Sequence, residues 1–258
     1  MKGKKIIILA LVLIFATFPV FFGFNEHGNN RFFDDQTFHH LTMRTLGQTP
    51  YGGADIGEVL ETIKHIRSGD PESWYVSWKN TADRITDLAS NSHDPISQGR
   101  ALLRAHNYYR TAEFLLAPDD PRRKETWQRN IAAFYSGLKM LNVDYERLVV
   151  PYENGHLNAL YFPAKVNFDD NGSKNDIDKR LQAEKPLIIA CGGVDSTMEE
   201  LYFSIVAGAR ERNYPVLIFE GPGQGSILRE QGLRFTPEWE YPPQAVLDHF
   251  LVSHRSPP

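Results

Sequence analysis

Two apolar runs, Pro186-Leu187-Ile188-Ile189-Ala190-Cys191 and Pro215 to Phe219, each end in a glycine-rich loop, and a helical stretch joins them. The first loop is Gly192-Gly193-Val194-Asp195-Ser196. The second is Glu220-Gly221-Pro222-Gly223-Gln224-Gly225. Runs that are apolar at every position suit strands covered on both faces, as in parallel sheets. A parallel pair needs a crossover, and Ser196-Thr197-Met198-Glu199 reads as a capping box opening a helix to about Arg212. The layout predicts an α/β fold with both loops at the carboxyl edge of the sheet, where such folds place their chemistry.

The spacing of the second loop does not fit a dinucleotide cradle. It reads Gly-x-Gly-x-Gly, the third Rossmann glycine would fall at Ser226, and no Gly-Lys-Ser/Thr follows. A tight turn is the reading it supports. The first loop carries more chemistry. Backbone N–H groups at Gly193 and Val194 can face a developing oxyanion, and glycine lets a substrate carbonyl approach closely. Asp195 sits beside them, either as an auxiliary carboxylate or as a polar residue favoured near a helix N-terminus. Nine histidines form no metal-binding spacing, and Cys191 is the sole cysteine, read as a core thiol. No metal and no cofactor are expected. A net charge of −4 without a basic stripe gives no reason to expect a nucleic-acid partner.

Residues 55–145 carry helical periodicity: Ile56, Val59, Leu60, Ile63 and Ile66, then Trp74, Trp78, Ile85 and Leu88. Asp70-Pro71 and Asp120-Pro121 mark helix starts, with another helix over Ile96 to Leu116. Residues 25–54 show no sustained period and read as a linker packing onto the body. From 146 to 258 the pattern is that of a sheet domain. Leu148 to Tyr152 and Leu157 to Phe162 flank Asn154-Gly155 as a hairpin, 167–185 is a polar loop, and Pro237 to Val252 a helix. At the other end, Lys2, Lys4 and Lys5 precede an uncharged stretch from Ile6 to Phe24. Its length predicts a retained signal anchor over 1–24, with the membrane as partner and a lumenal or extracellular body; a cleaved signal and secretion is the alternative.

Several motifs in fixed order resemble one family. They are Trp78…Ala82-Asp83-Arg84, Arg104-Ala105-His106-Asn107-Tyr108-Tyr109-Arg110-Thr111-Ala112-Glu113-Phe114, Gly192 to Glu200, and Glu220 to Gly225. Together they resemble the α/β-hydrolase superfamily, in its 2,6-dihydroxypseudooxynicotine hydrolase-like group with the related fungal pigment and polyketide hydrolases, from about Gly52 to Leu251. The resemblance implies an all-helical cap followed by an α/β-hydrolase core of parallel strands plus an N-terminal hairpin. It implies cofactor-independent serine hydrolysis of a carbon–carbon bond next to a ketone, or of an ester. By the same resemblance, Gly193 and Val194 supply oxyanion donors, Asp195 orients or polarises the ketone, and Asn107, Tyr108 and Arg110 face the substrate. No Gly-x-Ser-x-Gly nucleophile turn occurs before Pro258. The expectation is therefore a truncated core: a fragment, or a chain inactive alone. The alternative is a non-catalytic small-molecule-binding or interaction remnant of that fold. A missing neighbour beside Leu187 to Cys191 would also expose a sheet edge, through which the chain could dimerise.

Overall fold

The computed structural model describes residues 31–165 and 185–254. They fall into two compact units that divide between Val143 and Asp144. The expected polar loop at 167–185 lies almost wholly outside the described residues.

The helical unit holds α1 (Gln36–Leu46), α2 (Ile56–Ile63), α3 (Pro71–Asn91), α4 (Pro95–Glu113) and α5 (Pro121–Met140). Three of these begin alike. Asp70, Asp94 and Asp120 each accept a backbone N–H of the first turn, and a proline follows where its missing N–H costs nothing. Along α3, Trp74, Trp78, Ala82, Ile85 and Ala89 recur at three- and four-residue steps and are buried. Leu88, expected on that face, is exposed. The Trp78 ring lies 5.6 Å from Tyr108 of α4. Helices α4 and α5 approach closely because two glycines face the crossing. A Cβ on Gly99 would lie 2.5 Å from Leu141 Cγ, and one on Gly137 2.9 Å from Leu103 Cδ2.

The stretch 25–54, expected as a linker packing onto the body, contains α1 in its described part. Asp35 caps this helix through Phe38 N–H, and Phe38 packs 4.7 Å from the Trp74 ring. Threonines obscured its period. Thr42 and Thr45 share the buried face with Phe38 and Leu41, and their hydroxyls bond back to Phe38 O and Leu41 O.

The second unit is built on β1 (Glu146–Tyr152), β2 (Gly155–Phe162), β3 (Ile188–Cys191) and β4 (Val216–Glu220), in the order β1-β2-β4-β3. Strand β2 pairs antiparallel with β1 on one side and with β4 on the other, and β3 runs parallel to β4. The crossover from β3 to β4 is one run of helix: α6 (Met198–Leu201), a π turn (Tyr202–Val206) and α7 (Ala207–Glu211). Helices α8 (Gly225–Gln231) and α9 (Tyr241–Ser253) follow β4. The strand period of two sorts the core. Leu148, Val150, Leu157, Ala159, Leu217 and Phe219 pack with Ile227, Val246 and Phe250. The alternate positions Leu160, Phe162, Val216 and Ile218 are buried on the opposite face, with Tyr202 5.7 Å from Phe162.

This is the α/β class expected, a helical unit followed by a small mixed sheet, with three local differences. The hairpin turns at Glu153 and Asn154, one residue before the Asn-Gly pair, and Glu153 takes the left-handed conformation. Thr197, not Ser196, caps α6 by accepting Glu200 N–H. Strand β3 was read as buried on both faces, yet its residues are half-buried because β4 is its one bonded neighbour among the described residues.

The membrane-anchor expectation is corrected too. A spanning helix needs about 20 predominantly apolar residues. Among the described residues no helix is long and apolar enough to cross a membrane. The stretch 1–24 itself lies outside the described residues. The signal anchor, the membrane partner and the lumenal placement are withdrawn.

Candidate functional site at the ends of the parallel strands

Strand β4 is buried at every position, and its last residue is an acid, Glu220, only 2% exposed. A buried carboxylate needs donors, and three converge on it. Oε1 accepts Met198 N–H at 3.0 Å, while Oε2 accepts Ser226 N–H at 2.8 Å and Ser226 Oγ–H at 2.5 Å. Met198 opens α6 and Ser226 lies in the first turn of α8, so one side chain bridges the starts of both helices. Burial pushes the Glu220 carboxyl above the usual carboxylate range, and the bonds from Ser226 and Met198 pull it back in part. Gly225, at φ +34°, sits so close that a Cβ there would fall 1.8 Å from Oε1.

Between these residues, Gln224 is 1% exposed. Its Oε1 accepts Gly221 N–H at 2.8 Å, and its Nε2 donates to Gly192 O at 2.6 Å and Gly193 O at 2.9 Å. The Trp239 ring and the Phe235 backbone press on the same loop. A Cβ at Gly221 would lie 2.5 Å from Trp239 Cη2, and one at Gly223, at φ +83°, 2.7 Å from Phe235 N. The Phe235 and Trp239 rings stack 4.9 Å apart.

The loop after β3 takes its shape from close contacts. A Cβ on Gly192 would meet Ser196 Cβ at 2.2 Å, and Ser196 N–H donates to Gly193 O at 3.1 Å. Val194 and Asp195 form the exposed tip, Val194 at 58%. Neither Gly193 N–H nor Val194 N–H makes a hydrogen bond among the described residues. Gly193, Val194 and Asp195 thus follow one another at the carboxyl end of β3, with Val194 and Asp195 exposed. Cys191, just before them, is half-buried; burial pushes its thiol up, opposed by a hydrogen bond with Trp239.

Asn107, Tyr108 and Arg110 belong to α4 in the helical unit and are buried there. Asn107 Nδ2 donates to Gly53 O at 2.9 Å. The Tyr108 hydroxyl accepts Asp55 N–H at 2.9 Å and donates to Glu58 Oε2 at 2.8 Å. Arg104 holds the same Glu58 through two bonds, at 2.8 and 3.0 Å. The Arg110 guanidinium lies 5.5 Å from the Phe114 ring centre. Asn107 and Tyr108 thereby tie α4 to the segment that leads into α2. Among the described residues no cluster of three or more His, Cys, Asp or Glu could hold a metal ion.

Sequence reasoning missed Glu220, Gln224 and Ser226. The signal was present as an acid closing an unbroken apolar strand, followed by a glutamine enclosed by glycines.

No protein-family model matches the chain. It is 38% identical over 224 residues to hydrolase acrC of Aspergillus aculeatus, a match covering 84% of this chain and 52% of the relative. It is 37% identical over 226 residues to the 20-hydroxy-prefusarin hydrolase FUS2 of Gibberella moniliformis, covering 85% and 51%. To the alpha/beta hydrolase psoB of Aspergillus fumigatus it is 37% identical over 239 residues, covering 88% and 51%. In fold it is similar to the crystal structure of a 2,6-dihydroxy-pseudo-oxynicotine hydrolase, with a TM-score of 0.61, 19% identity, and coverage of 82% of this chain and 54% of that one. The chain spans about half the length of the curated relatives it matches. By sequence and by fold, this chain is a relative of the α/β hydrolases.

Proposed function

We propose that this chain carries the oxyanion-binding part of a cofactor-independent α/β hydrolase acting on a small-molecule ketone or ester. The supporting observation is the pair of unspent N–H groups at Gly193 and Val194, held at the end of β3 beside Asp195. In such chemistry a serine attacks the carbonyl carbon, and the two N–H groups donate hydrogen bonds to the carbonyl oxygen as it takes on negative charge. Asp195, exposed at the loop tip, orients or polarises the carbonyl group. No Gly-x-Ser-x-Gly turn occurs in the 258 residues. The alternative reading is a non-catalytic small-molecule site on the same loop. The free edge of β3 is the surface through which we expect two copies to pair.

Titration with acetophenone, followed through backbone amide resonances, tests the site. The Gly193 and Val194 amide protons are expected to shift on binding, because both donate to the carbonyl oxygen. Shifts confined to other residues would overturn the reading. A joined polypeptide of the relatives' full length that turns over phenyl acetate would favour the enzyme over the binding remnant.

A further inference from the structure

Resting on the reading of Gly193 and Val194 as oxyanion donors, we infer that Gln224 is the positioning residue that aims them. The second glycine loop exists to hold the first in place. A trans peptide is planar, and its C=O points opposite to the N–H of the next residue. The described residues contain no cis peptide. Gly192 O and Gly193 N–H share one such plane, and Gly193 O and Val194 N–H share the next. Gln224 Nε2 donates to both carbonyls, at 2.6 and 2.9 Å. One amide group therefore turns two successive peptide planes the same way, and both N–H groups face away from the Gln224 side chain.

The side chain that does this is itself fixed. Its Oε1 is spent on Gly221 N–H, and Gln224 N–H donates to Gly221 O at 3.1 Å. Gly223 N–H donates to Leu233 O at 2.8 Å, with the chain there packed too closely against Phe235 for any side chain at Gly223. Both N–H donors of the carboxamide and one lone pair of its oxygen are used, and no other common side chain reproduces that set. Glutamate would set a carboxylate oxygen against two carbonyl oxygens. Methionine, close in size, would leave both carbonyls and Gly221 N–H without this partner. Asparagine is one methylene too short for the same reach.

The experiment is acetophenone titration of the whole chain and of Gln224→Met, read at the Gly193 and Val194 amide protons, with thermal unfolding of each. We expect Gln224→Met to keep the remaining amide spectrum, to lose the probe-induced shifts at Gly193 and Val194, and to bind at least tenfold more weakly. Equal shifts in both proteins would overturn the role of Gln224 and leave the oxyanion reading standing. No shift at these amides in the unsubstituted chain would overturn that reading, and this role with it. A second measurement needs no variant. The Gln224 side-chain amide protons should exchange slowly and show scalar coupling across their bonds to the Gly192 and Gly193 carbonyl carbons. Fast exchange without coupling would overturn the inference even where Gln224→Met fails to fold.

Discussion

At Glu220 a carboxyl is buried at the end of a strand and satisfied only by donors. Burial raises its folded-state pKa above the ordinary glutamate value of 4.5. For a group raised in this way, the stabilisation of the protonated form is complete below the unfolded value and is lost as pH rises through the folded one. Unfolding by urea should therefore require less denaturant as pH rises from about 4.5 toward neutral, as far as this residue sets the trend. Glu220→Gln removes the ionisation but turns an NH2 group toward Met198 N–H or toward Ser226. It should cost about 1–3 kcal/mol at pH 4, with the gap to the unsubstituted chain narrowing at higher pH. A gap that widens with pH would show that the three donors outweigh burial. At this scale the sequence was informative about loops and silent about ties. Gly193, Val194 and Asp195 could be picked out because glycines after an apolar run identify a strand end. Gln224 could not, since its meaning lies in bonds to carbonyls 32 and 31 residues away along the chain. Likewise Tyr108 reads as one of a Tyr-Tyr pair, and only the fold shows its hydroxyl joining Asp55 to Glu58.

Strand β3 brings the element scale into view. Local signals placed it within one residue, because an apolar run between Pro186 and Gly192 admits little else. Its burial was not legible, because that depends on which strands flank it. Beside β4 alone, Ile188 to Cys191 keep half-buried side chains and a row of backbone groups with no strand beyond them among the described residues. Such an edge invites pairing with another chain, and a lysine there is the common way proteins blunt it. Ile188 starts the strand and lies outside the cluster that Leu187, Ile189 and Cys191 pack against. We expect the weight-average mass from sedimentation to rise with concentration for this polypeptide, and Ile188→Lys to suppress the rise without lowering the unfolding free energy by more than about 1 kcal/mol. A concentration-independent monomer would remove the edge as an association surface. The helices show the same division. Asp-Pro announced α3 and α5, while α1 went unread because threonines occupy half of its buried face.

Among the described residues, each unit closes an apolar cluster of its own. One is built from Trp74, Trp78, Ile85, Tyr108 and their neighbours. The other is built from Leu157, Leu217, Phe219, Val246 and Phe250. The sequence distinguished them because its period changes from helical to alternating near Tyr145, close to where the units divide. Each cluster has its own conformational entropy to offset, so each unit should lose structure in its own cooperative step. Trp78 is fully buried and touches the rings of Trp74 and Tyr108, at 5.7 and 5.6 Å. Trp78→Ala would delete that ring and leave a cavity which two flanking helices can only partly fill, at a cost of about 3–5 kcal/mol. Calorimetry should show two transitions in the unsubstituted chain, with Trp78→Ala lowering one by roughly 10–20 °C. The fluorescence of Trp239, which lies in the sheet unit, should report the unmoved transition. A single transition that shifts as a whole, Trp239 signal included, would mean the two cores are coupled and that the α/β part of this chain depends on its helical neighbour for stability.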